Sequence, residues 1–202
     1  MIIKGQTRRI SSVFPVLFGL AALILLLFWL GKSGGQGRTN NASDAMIFCG
    51  AESVSGDEFV SGEFRFSNGL TQSREQARNG LHSCRLDSVE KFGMTFQLPD
   101  PVPGERLEIT VWRKKEGTAY GSVVATIRGM EGEYAEAGEP IVQENGWELL
   151  KLLYEIPENY RAGEVIIYVY ANTLDGGIAY YDDLSIERIP RADVYAENVE
   201  ND

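Results

Sequence analysis

Carboxylates and aromatic rings are the main residues of this sequence that could do chemistry, because the chain has 29 Asp and Glu but a single histidine, His82. A histidine-based catalytic triad would use this one histidine and leave no other. A metal site with several histidine ligands is excluded. None of the 22 glycines forms a phosphate-binding loop between a strand and a helix. Paired carboxylates, as in glycoside hydrolysis, are the only catalytic chemistry left, and they must stand about 5 to 9.5 Å apart in a cleft. No such pair stands out among the 29 acids, so we predict that the chain is not an enzyme.

Short β-rich segments separated by turn residues must position these side chains. In residues 106–113, Leu107, Ile109 and Val111 alternate with other residues, which is the period-two pattern of a half-buried strand. No comparably long helical period occurs apart from the ambiguous run LLKLLY. The predicted strands are 92–98, 106–113, 121–128, 147–156, 164–170 and 178–186, with earlier strands around 64–66 and 83–86. This spacing predicts an all-β fold, an antiparallel β-sandwich of the jelly-roll type.

Charge divides the chain into two unlike parts. Residues 1–38 carry five Lys and Arg and no acid, whereas residues 39–202 carry 14 Lys and Arg against 29 acids, a net charge of −15. A surface this acidic repels a phosphate backbone, so we exclude nucleic acid as a partner.

The segment 13–30 is apolar and contains no charged side chain. As a helix it is about 27 Å long, close to the roughly 30 Å of a hydrocarbon core, and Trp29 at its end suits the membrane interface. Because three cations precede it and two follow it, we predict a single-pass transmembrane signal-anchor helix with a cytoplasmic N-terminus. A cleaved signal peptide is the alternative, although no small-x-small site follows the segment. The predicted parts are a cytoplasmic N-terminus at 1–12, the helix at 13–30, a flexible linker at 31–45, a β-sandwich domain at 46–189 outside the membrane, periplasmic or extracellular, and an acidic disordered tail at 190–202.

Five segments occur in a recognisable order. They are SGEFRFSNGLTQSREQARNGLHSCRLDS, FGMTFQL, PGERLEITVWRK, NGWELLKLLYEIP and IAYYDDLSI. In this order and spacing, over roughly residues 46–189, the sequence resembles carbohydrate-binding modules with the galactose-binding-domain-like jelly-roll fold. The run from Tyr181 to Leu184 is the most specific part of the match. The resemblance implies a module that binds a glycan and has no catalytic activity.

The resemblance also implies a structural calcium ion, because many such modules hold Ca²⁺ where the first and last strands meet. Ca²⁺ takes about six to eight oxygen ligands, which carboxylates of neighbouring strands and carbonyls of a turn can supply. Matched to the family pattern, Glu52 takes the place of an early glutamate, and Asp182 or Asp183 that of a late aspartate. The turn from Asn79 to Ser83 would supply the carbonyl oxygens. The alternative is that the two aspartates only form an exposed turn and a strand cap.

Cys49 and Cys84 both lie close to that junction in the implied fold, and two cysteines in an outward-facing domain are free to pair. We predict a disulfide between them, which would close a loop of about 35 residues and contribute roughly 3 to 4 kcal/mol in the loop-entropy model. Two separate buried thiols are the alternative.

Sugar binding requires aromatic rings against the C–H faces of pyranose rings, with polar side chains nearby. Alternation in two of the predicted strands puts aromatic rings opposite the aliphatic residues. The ligand-binding residues predicted on this basis are Trp112, Tyr168, Tyr170, Arg113 and Asn172. For each ring taken alone, packing in the core is the alternative.

Two functions therefore stay open. The first, which we favour, is a membrane-tethered, non-catalytic carbohydrate-binding module that recognises a poly- or oligosaccharide. The second is a β-sandwich scaffold or adhesion-type domain that binds a protein partner, in which case the resemblance reports the fold alone.

Overall fold

The computed structural model describes residues 46–173 and 176–189 of the chain, and these residues form fourteen β-strands and one short 3-10 turn. The strands are β1 (Ile47–Cys49), β2 (Val54–Ser55), β3 (Glu58–Ser61), β4 (Phe64–Ser67), β5 (Gln72–Ser73), β6 (Ser83–Leu86), β7 (Phe92–Gln97), β8 (Arg106–Glu116), β9 (Ala119–Arg128), β10 (Tyr134–Ala137), β11 (Val142–Glu144), β12 (Trp147–Glu155), β13 (Glu164–Thr173) and β14 (Ile178–Ile189), and the turn is Gly69–Thr71. The predicted all-β class is thereby confirmed.

The strands form two antiparallel sheets of seven strands each. The first sheet has the order β11-β12-β8-β14-β6-β5, with β1 also paired to β14, and the second has the order β10-β9-β13-β7-β4-β3-β2. From β6 to β9, and again from β12 to β14, successive strands belong to opposite sheets. The predicted antiparallel two-sheet sandwich is confirmed.

The hydrophobic core lies between the sheets and follows the period-two pattern of the strands. Leu107, Ile109 and Val111 of β8 are 0% exposed, and so are Val165 and Ile167 of β13 in the opposite sheet. Burying a side chain of this size contributes roughly 1.5 to 3 kcal/mol. Facing rows of aliphatic residues therefore hold the two sheets together.

The ambiguous run LLKLLY belongs to β12 and is a strand. Leu150, Leu152 and Tyr154 are buried, whereas Lys151 and Leu153 point outward. Pairing with β8 along the whole strand imposes the extended conformation on residues with high helix propensity.

Two predicted parts of the chain lie outside the described residues. They are the N-terminal segments at 1–45, which include the transmembrane helix at 13–30, and the tail at 190–202. Within residues 46–173 and 176–189, no helix is both long and apolar enough to cross a membrane.

Candidate functional site

Strand β13 presents two aromatic rings on the outer side of the second sheet. Val165, Ile167 and Val169 are buried in the core, whereas Tyr168 and Tyr170 point outward and are partly exposed. Asn172 continues the same outward row and is exposed. The structure therefore brings three of the predicted ligand-binding residues onto one surface.

Neighbouring strands add three rings to this surface. Phe92 of β7 is paired with Tyr170, Tyr120 of β9 is paired with Asn172, and Tyr134 points outward from the edge strand β10. The rings of Phe92, Tyr120 and Tyr134 are about half exposed, at 50%, 48% and 54%, so a ligand can reach them. We call the group Phe92, Tyr120, Tyr134, Tyr168 and Tyr170 the aromatic face.

These three added rings were not predicted from the sequence, for different reasons. Phe92 was inside a predicted strand, but a register shift between β7 and β13 breaks the alternation there. Tyr120 lies one residue before the predicted start of its strand. Tyr134 belongs to a strand of four residues, YAEA, which is too short and too weakly apolar to stand out.

The rings of β7 and β13 pack against one another. The centroid of Phe92 lies 5.6 Å from that of Tyr168 and 5.2 Å from that of Tyr170, with interplanar angles of 60° and 45°. Edge and tilted arrangements at these distances are favourable because the rim of one ring meets the π face of another. The three rings therefore hold each other in place before any ligand binds.

Glu136 provides a carboxylate on the same surface. Its Oε2 accepts a hydrogen bond from the Tyr134 hydroxyl at 2.7 Å and from the Ser122 hydroxyl at 3.3 Å. Burial raises the pKa of Tyr168 and of Tyr134, and the Glu136 carboxylate raises both further. Because both phenols keep their protons at neutral pH, the surface combines flat apolar rings with hydroxyl donors and a carboxylate acceptor.

Two side chains of the first sheet cross the core and contact the backbone under the aromatic face. The Tyr181 hydroxyl donates a hydrogen bond to the Tyr170 carbonyl at 2.7 Å, and the Arg113 guanidinium donates one to the Gly121 carbonyl. A Cβ atom at Gly121 would lie 1.9 Å from the Tyr181 hydroxyl oxygen, so only glycine leaves room for this contact. Arg113 is 1% exposed, and Glu148 at 2.5 Å balances its charge.

Trp112 and Arg113 do not belong to the aromatic face. Trp112 is on β8 in the first sheet, where the Arg78 guanidinium lies 3.8 Å from the centroid of the indole. Arg113 points to the opposite side of β8, into the sandwich. Because β8 and β13 lie in different sheets, outward residues of the two strands point to opposite sides of the molecule. The structure thus divides the predicted ligand-binding residues between two surfaces and the interior.

The expected calcium ligands lie around the loop between β5 and β6. Asp182 is fully buried and accepts backbone N–H bonds from Arg78 at 2.8 Å, Asn79 at 3.2 Å and Asp183 at 2.8 Å. Asp183 accepts from the Arg78 guanidinium at 3.0 Å and from the Asn79 amide at 2.5 Å. Burial raises the pKa of Asp182 to about 6, although the N–H donors from Arg78 and Asn79 oppose the rise.

Glu52 binds the far end of the same loop. One of its carboxylate oxygens accepts the backbone N–H groups of Leu81 and His82 at 2.9 and 3.0 Å, and the other lies 3.2 Å from Nδ1 of His82. Ser83 is buried and donates its hydroxyl to the Gln76 carbonyl. The side chains named for calcium therefore hold this loop through direct hydrogen bonds.

As they lie, these residues do not fit a calcium site. The carboxylates face N–H donors and a guanidinium, whereas Ca²⁺ requires a shell of oxygen atoms. In the part of the chain that the structure describes, no three His, Cys, Asp or Glu side chains are grouped so that they could hold a metal. Calcium therefore stays a prediction from the family resemblance.

Cys49 and Cys84 are buried free thiols, so the predicted disulfide is absent from this structure. Cys49 is paired with Leu184 and Cys84 with Tyr181, which places the two cysteines at different positions along β14. Burial raises the pKa of each thiol to about 12, so both are neutral at physiological pH. Cys49 also raises the pKa of Cys84, so the two thiols lie near each other, and the disulfide between them stays a prediction.

Similar solved structures include carbohydrate-binding modules, whereas no protein-family model and no curated protein matches the chain. The C-terminal family 22 carbohydrate-binding module of Clostridium thermocellum Xyn10B is 16% identical and gives a TM-score of 0.48, covering 73% of this chain and 96% of that chain. The CBM22-1 xylan-binding domain of Paenibacillus barcinonensis Xyn10C is 16% identical with a TM-score of 0.47, covering 74% and 98%. The xylan-binding module CBM15 is 11% identical with a TM-score of 0.43, covering 74% and 99%. These TM-scores lie below 0.5, so the likeness carries no conclusion about function.

Proposed function

We propose that this chain is a non-catalytic carbohydrate-binding module that binds a poly- or oligosaccharide on the aromatic face. The observation that carries the proposal is the set of five aromatic side chains on one side of the second sheet, three of them about half exposed. Soluble proteins rarely leave a contiguous group of large rings in contact with water unless the group binds something.

The chemistry of the face suits a sugar better than an apolar ligand. A pyranose ring has C–H patches that pack on aromatic rings and hydroxyl groups that need hydrogen-bonding partners. Tyr168 and Tyr170 are two residues apart on one strand, a spacing of about 6.6 Å, which is comparable to the size of one sugar unit. Glu136, Ser122 and Asn172 supply polar groups on the same side.

Tethering to a membrane is a second part of the proposal, and it rests on the apolar segment 13–30 of the sequence. With the cytoplasmic N-terminus that the basic residues favour, the β-sandwich stands on the outer side, where it can meet a glycan. Protease added to intact cells should remove the domain if this orientation is right.

The test is binding of the full-length chain, in detergent, to a broad glycan array, together with three variants. We expect Tyr168→Ala and Phe92→Ala to weaken saturable glycan binding on the order of tenfold each, since buried aromatic contacts dominate such interfaces. Trp112→Ala is the matched control, because it removes an aromatic ring from the other sheet.

Thermal unfolding should show that all three variants remain folded. Loss of binding in Trp112→Ala with full binding in Tyr168→Ala would move the site to the first sheet. If no glycan binds the folded chain, the proposal fails, and a protein partner for this β-sandwich becomes the next candidate.

A further inference from the structure

We propose that the aromatic face selects uncharged glycans and rejects glycans that carry carboxylates. This inference rests on the proposed function, because it names the class of ligand that the same surface accepts. The feature that carries it is the exposed carboxylate of Glu136, which lies among the rings and forms no ion pair with any cation in the part of the chain that the structure describes.

Glu136 lies in the same row of the sheet as one of the central rings. It is paired with Val124 of β9, and Val124 is paired in turn with Tyr168 of β13. Two strand spacings, or about 9.6 Å between backbones, separate Glu136 from Tyr168. Burial is the main cause of the raised pKa values of Tyr168 and Tyr134, and the Glu136 carboxylate raises both further. Its charge therefore acts on a ring of its own strand and on a ring of β13.

Among the described residues, no cation forms an ion pair with Glu136, and Arg113, which reaches the Gly121 carbonyl from the interior, is paired with Glu148. Among the outward residues described for β9, β10 and β13, Arg128 is the one cation, and it forms an ion pair with Glu164 at 2.5 Å. Lys91 adjoins Phe92 at the start of β7, three strands from β10. That separation is about 14 Å between strands, which exceeds the Debye length of about 10 Å at 0.1 M salt.

A sugar stacked on Tyr168 therefore lies within about two strand spacings of one uncompensated negative charge. A second carboxylate about 6 Å from Glu136, at an effective dielectric constant between those of water and a protein surface, weakens binding on the order of tenfold. Neutral hydroxyl groups lose nothing, because they can donate hydrogen bonds to Glu136.

The experiment measures the affinity of the full-length chain, in detergent, for pairs of glycans. One member of each pair is neutral, and the other carries carboxylates. The pairs are xylan with glucuronoxylan, methyl-esterified galacturonan with its free acid, and cello-oligosaccharides with their C6-oxidised forms. We expect the neutral member of each binding pair to bind about tenfold tighter at about 0.1 M salt. The ratio should shrink in 1 M NaCl, where the Debye length falls to about 3 Å.

Glu136→Gln keeps the shape of the side chain and removes its charge, so it should bring the ratio close to one. Glu63→Gln, in the exposed turn between β3 and β4, is the matched control and should leave the ratio unchanged. Equal affinity within the pairs, tighter binding of the acids, or a ratio that Glu136→Gln leaves unaltered would overturn the inference while glycan binding stands. Failure of both members of every pair to bind would overturn the proposed function together with it.

Discussion

Gly121 offers the sharpest test of how the two sheets are joined under the aromatic face. Its carbonyl accepts a hydrogen bond from Arg113, and its Cα hydrogens face the hydroxyl of Tyr181. In Gly121→Ala the new Cβ would lie 1.9 Å from that hydroxyl oxygen and 2.9 Å from the Tyr170 carbonyl oxygen. Tyr181 is 0% exposed, so its ring has no free space into which to move.

The cost has two parts. Overpacking a well-filled core costs roughly 1 to 3 kcal/mol. If the Tyr181 ring moves far enough to accept the methyl group, its hydroxyl leaves the Tyr170 carbonyl, and an unsatisfied buried polar group costs about 1 to 3 kcal/mol more. We therefore expect a loss of about 2 to 6 kcal/mol, or a fall in Tm of about 4 to 24 °C for a chain of this size.

Thermal unfolding followed by near-UV circular dichroism measures this loss, and the same substitution at Gly138 is the control. There the new Cβ would lie 2.7 Å from the Tyr120 hydroxyl, but this ring is 48% exposed and can turn away, so a cost below about 1 kcal/mol is expected. In the Tyr181→Phe background, which lacks the obstructing oxygen, Gly121→Ala should cost at least about 1 kcal/mol less than it does alone. An equal cost in both backgrounds would refute the assigned clash.

Two further predictions concern the loop held by Asp182. The pKa of Asp182 is raised from 3.8 to about 6 in the folded chain. Between these two pH values the folded state therefore binds more protons than the unfolded state. The contribution of Asp182 to stability falls as the pH rises through this range. Wild type should therefore lose up to about 3 kcal/mol relative to Asp182→Asn between pH 4 and pH 7, and a Tm difference that stays constant with pH would contradict this. EDTA tests the calcium that the family resemblance implies: a calcium ion at 100-fold excess over its Kd would add about 2.7 kcal/mol, so its removal would lower Tm, whereas a loop held by its direct hydrogen bonds alone would keep the same Tm.

The sandwich was predictable because its long strands carry the period-two pattern in their own sequences. β8 and β13 place the expected residues inside and outside, and even the helix-like run in β12 obeys the pattern once it is paired. Short polar strands such as β10 and β11 bury too little apolar surface to leave such a signal. They form the edges of the two sheets, where each pairs with a longer strand, β10 with β9 and β11 with β12.

The candidate site was harder to predict, because alternation fixes the two sides of a strand but not the sheet that the strand joins. Trp112 and Tyr168 both point away from the core, as expected, yet they lie on opposite surfaces. Strand order depends on contacts between residues distant in sequence, such as the pairing of Tyr120 with Asn172. A single sequence does not reveal which outward rings become neighbours.

Ligand binding and stability should be separable in this molecule, because different side chains serve them. The exposed rings of the aromatic face bury little of the core, so their removal should change affinity with little change in Tm. Tyr181 and Arg113 reach the same strands from the interior and donate hydrogen bonds to backbone carbonyls of the second sheet. Substitutions there act first on the position of β9 and β13, and only through that position on the rings of Tyr120 and Tyr170.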